Sequence, residues 1–405
     1  MVYLVILFFI LFGIVRYDYF GKERGRLFLW IFICILLVCV AGLRYRLGQD
    51  TVMYMKDYKA LHPIDQLSSE DFEDSRFAPG FVVLTSFFKL ITDEFTLFQF
   101  FQALVVNTVM FYFLYRNCRH IFFAALIYFV FSYFLLSFQQ MREAFAVVIF
   151  LLAWPAFKSG KWIWWYVASL VAVTFHISAF LMFILPAICL PGVRQIFIFG
   201  SRTWLVSLCV IVLAVAVQAV FFRYIEMVAL TESMMERAQT YEKSHMGGGM
   251  LNFNGIVAAF IKEIAYPVMA LYCLKKKKEN EGINVNKFDK GNAMVLMSVY
   301  ISIFSIFVSI LSRFNNYFFP FVIVILSNWV FSFIEVGSKK VRLNLVYWVI
   351  LFMPMFLFQL TKYNGSVNKS GTLKGYMVYY PYSSYFDKTL DADREKAIRY
   401  IIRKN

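Results

Sequence analysis

Charge is scarce in this chain of 405 residues: 16% are Asp, Glu, Lys or Arg, against 61% apolar. A soluble domain carries about a quarter charged residues and about half apolar ones. An ordinary soluble enzyme is therefore excluded, and so is disorder, which needs low hydrophobicity. Histidine is scarcer still. His62, His120, His176 and His245 stand in different segments, without ligand spacing. The cysteines form no CxxC pair, so neither a disulfide framework nor a zinc site is signalled. HExxH, a P-loop and a GxSxG elbow are all missing. These absences argue against a metal-dependent hydrolase and against ATP hydrolysis in this chain. Neither a metal nor a cofactor is expected.

Aromatic residues are abundant, at 20% of the chain, with 48 Phe, 25 Tyr and 8 Trp. Phe is at home in hydrocarbon, and Tyr and Trp prefer the membrane interface. At about 20 residues per crossing, the length allows roughly ten to thirteen helices. The apolar runs fall near 1–15, 27–43, 80–92, 95–115, 121–138, 142–157, 162–175, 177–190, 204–222, 253–274, 291–311, 317–335 and 343–360. Backbone polar groups in a bilayer must be paired internally, so each run is read as helix. The expected fold is all-α, a polytopic membrane helix bundle forming one transmembrane domain over 1–405. Met1–Val15 has no basic n-region or small-residue cleavage site and reads as a first spanning segment.

The net charge of +15 falls mostly in short loops, so orientation in a membrane explains it better than nucleic acid does. Loop 16–26, loop 275–290 and loop 337–342 are rich in Lys and Arg and are placed in the cytoplasm. Segments 44–79 and 223–252 are then external. If run 80–92 crossed, the basic loop around Arg116 and Arg119 would be inverted, and so would every later loop up to the lysine cluster at 275–278. A re-entrant or interfacial helix at 80–92, with both ends outside, removes the conflict. About twelve crossings remain, and the tail 361–405 is external. The two halves show no internal repeat, and Gly247-Gly248-Gly249 reads as a hinge in an external loop.

Charge at a helix mouth is costly and marks functional candidates. Arg44, Arg46 and Asp50 emerge after the second run, followed by Tyr54 and Tyr58 on one helical face. They read either as a phosphate-binding group or as an interfacial anchor with a local Arg–Asp pair. Gln139, Gln140, Arg142 and Glu143 occupy a tight external turn, where an Arg opening a helix opposes the macrodipole unless an anion or Glu143 compensates. His176 is either a proton carrier or a structural residue in an apolar run. Arg313, with Tyr317, sits at another external turn. Lys262 and Glu263, inside run 253–274, read as an internal pair or a snorkelling Lys. Together Arg44, Arg46, Arg142 and Arg313 point to a cationic pocket at the outer leaflet, suited to an anionic lipid headgroup. A pyrophosphate has enough oxygens to engage several guanidiniums.

The string Gly42-Leu43-Arg44-Tyr45-Arg46-Leu47-Gly48-Gln49-Asp50 with Tyr54 resembles the R-x-x-x-G-x-D-x-x-x-Y signature of EpsG-like proteins, also described as Wzy-type polysaccharide polymerases. Gln139-Gln140-Met141-Arg142-Glu143-Ala144-Phe145-Ala146 is similar to that family's N-Q-x-R-Q-x-x-A turn. Phe175-His176-Ile177-Ser178-Ala179 matches its F-H-x-S-A element, and Arg313 with Tyr317 and Phe318 its R-x-x-x-Y-F element. Tyr379-Tyr380-Pro381-Tyr382 resembles its tail. The chain departs from the family with Gln139 in place of Asn and Glu143 in place of Gln.

The resemblance implies a bacterial inner-membrane glycosyltransferase that extends O-antigen, capsule or exopolysaccharide from undecaprenyl-pyrophosphate-linked units at the periplasmic face. Arg142 and Arg313, with Arg44 or Arg46, would hold the pyrophosphate. Asp50, with His176 as second choice, would take the acceptor proton. Gln139, Gln140, Glu143, Tyr54, Tyr58 and Tyr317 would contact substrate. A chain-length regulator is the implied protein partner. The rival classes are an O-antigen-type ligase, a flippase for the lipid-linked unit and a membrane acyltransferase.

Overall fold

The computed structural model describes residues 2–73, 75, 77–200, 205–207, 209–210, 213, 265, 269–274, 288–307, 309–330, 363–368 and 370–404. Most of run 204–222, run 343–360, loop 223–252, nearly all of loop 275–290, loop 337–342 and the Lys262–Glu263 pair lie outside the described residues. Of run 253–274, the described part is 265 and 269–274. The described chain is all-helical. Its β-pairing is limited to two isolated bridges, Arg44 with Ser384 and Ser366 with Lys374. It divides into two compact units, Met1–Ile184 with Gln359–Asn405, and Leu185–Phe358.

In the first unit, α1 (Val2–Gly13) continues through a π-helical turn to Tyr19. α2 (Arg26–Gly42), α3 (Gln49–Ala60), the short α4 (Ser69–Glu73), α5 (Pro79–Ile91) and α6 (Phe95–Asn117) follow. α7 (Ile121–Tyr128) is prolonged by two π-helical turns to Gln139. α8 (Met141–Ser159), α9 (Trp162–Phe175) and the single turn α10 (Leu181–Ile184) follow, and the unit closes with α14 (Ala392–Lys404). The second unit holds α11 (Pro191–Gly200), α12 (Lys290–Phe307) and α13 (Asn315–Val330).

Six helices of the first unit alternate in direction. α1 runs from Tyr3, edge-on to Phe134, to Tyr17, which stacks on Phe122. α2 returns from Arg26, which donates to Arg119 O at 2.5 Å, to Gly42, whose carbonyl accepts from Gln99 at 2.7 Å. α6, α7, α8 and α9 continue the alternation. One end, the motif end, therefore carries 42–95, 139–142 and 175–178. The opposite, basic end carries Arg16, Lys22, Arg24, Arg26, Arg116, Arg119, Lys158 and Lys161.

The short α5 does not traverse the bundle. Phe77, just before it, stacks on Tyr54 of α3 at 5.5 Å between ring centroids. Thr92, just after it, accepts from the Tyr58 hydroxyl at 2.8 Å. Both its ends therefore meet the same helix at the motif end. Its 13 residues span only about 20 Å.

Buried amides supply what the apolar sequence lacks. Gln99 and Gln102 lie on one face of α6, fully buried, and Gln102 donates to Leu136 O in a π-helical turn of α7 at 3.1 Å. Asn107 accepts from the Tyr128 hydroxyl at 3.0 Å and donates to Ser137 Oγ at 3.2 Å. Wide turns of this kind leave carbonyls unpaired, and a buried polar atom requires a partner. On the outside, α1 shows Leu4, Phe8 and Phe12, and α9 shows Ile163, Trp164 and Leu170, all exposed. Continuous apolar surface of this extent fits hydrocarbon rather than water.

Among the described residues two helices, Val2–Tyr19 and Phe95–Asn117, have the length and composition to cross a membrane. The bent pair Ile177–Cys189 and Pro191–Gly200 makes a third if counted as one span. Arg26–Gly42, Pro79–Ile91, Ile121–Tyr133 and Trp162–Phe175 are apolar but shorter. Run 177–190 is one helical segment, Ile177–Cys189, in which an α-turn is flanked by 3-10 turns.

Candidate functional site

The Arg-rich string after α2 folds into a turn that the helix ends dictate. α2 stops at Gly42, where a Cβ would meet Phe100 of α6 at 2.6 Å. The last carbonyls of a helix have no internal partner, and Arg44 supplies one. Its guanidinium donates to Ala41 O, to Leu47 O at 3.3 Å and to Thr51 Oγ1 at 3.3 Å, and it lies 4.5 Å from the Phe138 ring centroid. Arg44 is only 1% exposed. Burial lowers its pKa to about 10, so it stays protonated at neutral pH. Gly48 has φ +94° and faces Phe138 O, which a Cβ would approach to 2.9 Å. This explains the glycine of the R-x-x-x-G-x-D string.

Arg46 turns the other way and grips Glu395 of α14 with both nitrogens, at 3.0 and 2.6 Å. That contact holds the Glu395 carboxyl below its ordinary range. Around it the tail docks on the turn. Tyr45 N donates to Ser383 O at 2.8 Å, Tyr385 N to Leu43 O at 2.7 Å and Gly48 N to Val378 O at 3.1 Å. The Tyr3 and Tyr382 hydroxyls add bonds to Tyr379 O and Val40 O. No sequence motif marks Glu395 or the buried Gln99. Tyr379 stands out in the sequence only as part of the Tyr379-Tyr380-Pro381-Tyr382 string. Their partners lie far away in the chain, so no local pattern signals them.

Asp50 lies in the first turn of α3, where a carboxylate suits the helix dipole. Its charge reaches the buried Tyr379 hydroxyl. Gln139 donates to that same hydroxyl. Gln140 ends the π-helical stretch and starts α8, its carbonyl accepting from Ala144 N at 2.8 Å. Arg142, in the first turn of α8, is half-buried. Its Nε reaches the Tyr54 hydroxyl at 3.4 Å, and its guanidinium covers Phe77 at 4.7 Å. Glu143 is buried beside it. Tyr58 lies in the aromatic cluster below, with Phe81, Phe98 and Phe145.

His176 is buried and caps a 3-10 turn. Its Nδ1 accepts from Ser178 N at 3.2 Å and meets Ser178 Oγ at 2.6 Å. The F-H-x-S-A element thus has a local structural reason. In the second unit, Arg313 lies half-buried in the 3-10 segment Ser309–Phe314, ahead of the buried Tyr317. Asn315 there joins Ser298 and Ser302 at 2.5 and 2.7 Å.

The structure brings Asp50, Tyr54, Tyr58, Gln139, Gln140, Arg142, Glu143 and His176 to the motif end of the first unit. The four guanidiniums expected in one pocket have different placements. Arg44 and Arg46 are engaged inside the chain, Arg142 lines the α3–α8 surface, and Arg313 belongs to the second unit. Among the described residues no group of His, Cys, Asp or Glu is arranged to hold a metal ion.

The model of the EpsG family matches residues 27–384, a stretch that includes every one of these motif residues. The chain belongs to the EpsG family. Membership brings a polysaccharide-polymerase-like role in membrane polysaccharide biosynthesis. No curated protein and no solved structure matches the chain.

Proposed function

We propose that this chain polymerises a surface polysaccharide, joining undecaprenyl-pyrophosphate-linked repeat units at the periplasmic face of a bacterial plasma membrane. The family match over 27–384 carries the reading. The fold adds direction. Basic loops cluster at one end of the first unit, the pattern of a cytoplasmic face, and the motif residues lie at the other.

Arg142 is the guanidinium that contacts the leaving pyrophosphate. The acceptor hydroxyl oxygen attacks the anomeric carbon, the carbon–oxygen bond to pyrophosphate breaks, and undecaprenyl pyrophosphate departs with the bonding electrons. Charge grows on that group as the bond breaks. A fixed guanidinium on an aromatic wall stabilises it, a term often among the largest in catalysis. Asp50 takes the hydroxyl proton. It is preferred to His176, whose Nδ1 already accepts from the backbone. Arg44 and Arg46 act by shaping the turn rather than by touching phosphate.

Deletion of the gene, followed by gel analysis of surface glycan, tests the function. A single-repeat product without the ladder of longer chains is expected. Complete loss of capped lipid would indicate a ligase or a flippase instead.

A further inference from the structure

Three segments of the first unit, far apart in the chain, are tied together at the motif end. Gly48 N donates to Val378 O at 3.1 Å, and Thr51 Oγ1 donates to Phe138 O at 3.1 Å. Asp50 lies between Gly48 and Thr51, and Gln139 and Tyr379 come next after Phe138 and Val378. Gln139 Nε2 donates to the Tyr379 hydroxyl. The Tyr379 ring is held by Phe134, Phe138 and Tyr363, edge-on, with centroids 5.1, 5.9 and 5.8 Å away. Its carbonyl accepts from the Tyr3 hydroxyl at 3.0 Å. Burial, then its neighbours Tyr363 and Asp50, raise the phenol well above its ordinary pKa, so the hydroxyl stays neutral. Tyr379 is only 8% exposed, whereas Gln139 and Asp50 are each partly exposed. A substrate can reach the amide and the carboxylate without touching the phenol.

Docking of the tail does not need this hydroxyl. Backbone bonds from Tyr45, Gly48 and Tyr385, with the Arg46–Glu395 pair, already join the tail to the motif turn. The hydroxyl bond restrains one side-chain amide instead. Gln139 ends a π-helical turn, and ordering a free Gln side chain costs rotamer entropy. A restraint made before substrate arrives removes that cost from binding and from the reaction step. We propose that Tyr379 is a positioning residue of the glycosyl transfer: from the docked tail it holds the Gln139 amide beside Asp50, where the amide orients the acceptor sugar whose hydroxyl attacks. The inference rests on the polymerase reading above and adds the tail to its machinery.

The test uses the full-length chain in detergent, supplied with lipid-linked repeat units extracted from a polymerase-null strain. Chain extension is read on gels at limiting and saturating substrate. Tyr379→Phe keeps the ring contacts and removes the hydroxyl. Its kcat is expected to fall about tenfold, with KM changed by less than about twofold, because misplaced reacting groups cost rate rather than binding. Gln139→Leu should lose a similar factor. Since Tyr379 acts through Gln139, the double variant Tyr379→Phe/Gln139→Leu should be no slower than Gln139→Leu alone. Tyr382→Phe removes a different tail hydroxyl bond, to Val40 O at 3.1 Å, and should keep the wild-type rate. Gel filtration and thermal unfolding verify folding, and a Tyr379→Phe variant that fails to fold would make the hydroxyl part of the fold and reject the positioning role. A wild-type rate in Tyr379→Phe, losses that multiply in the double variant, or the same loss in Tyr382→Phe would overturn the inference and leave the polymerase reading standing. Absence of chain extension by the wild type would overturn that reading, and the inference with it.

Discussion

Arg44 stands at the first position of the family string, yet the protein uses it as a keystone of the fold. Its donors meet the orphan carbonyls of a helix end, a threonine and an aromatic face. Lysine has neither the planar fork nor the reach to replace them. Arg44→Lys is therefore expected to lower stability by about 3 kcal/mol, measured as thermal unfolding in detergent. An unchanged midpoint would show that the turn does not depend on it. This distinction was not legible in residue types, because an arginine at a helix mouth looks the same whether it binds a ligand or closes a helix. His176 behaves likewise. Its spacing to Ser178 encodes a cap, and the proton-carrier reading came from residue type alone.

Elements show the same division between local and remote information. The apolar runs 27–43, 95–115, 121–138 and 162–175 reappear as α2, α6, α7 with its π-helical turns, and α9. Hydropathy is written locally, and helices follow from it. The expectation for 80–92 rested on charge parity and a short length, and in the structure α5 starts and ends against α3. The docked tail was not legible, since Arg46 and Glu395 are 349 residues apart. Their link has a pH signature. Because the Arg46 contact depresses Glu395, docking is complete above the ordinary carboxylate range and weakens as pH falls through the lowered value. Hydrogen exchange in Ala392–Lys404 should accelerate on acidification in the wild type. It should already be fast at neutral pH in Glu395→Gln. A double-mutant cycle of Arg46→Ala and Glu395→Ala should give a coupling of about 1 kcal/mol, because the pair is partly exposed. Absence of coupling would detach the tail from the motif turn.

At the scale of the whole molecule, the charge asymmetry between the two ends of the first unit defines an orientation. Single cysteines replacing Arg24 and Ser384 are expected to label from opposite sides of the membrane, Ser384→Cys from outside. Both positions labelling from one side would refute the alternation of α1, α2 and α6–α9. The family relationship was legible because its motifs occur in order along the chain. The assignment of chemistry to individual arginines was not, because it depends on which guanidinium the fold leaves facing the α3–α8 surface. Among the described residues of the first unit, Arg142 is the one that meets this condition. The most direct measurement is the surface-glycan ladder of a polymerase-null strain carrying Arg142→Lys at wild-type protein levels. Collapse of the ladder to single-repeat product is expected, since a point charge replaces a two-pronged contact. A full-length ladder from Arg142→Lys and from Arg142→Ala would contradict it.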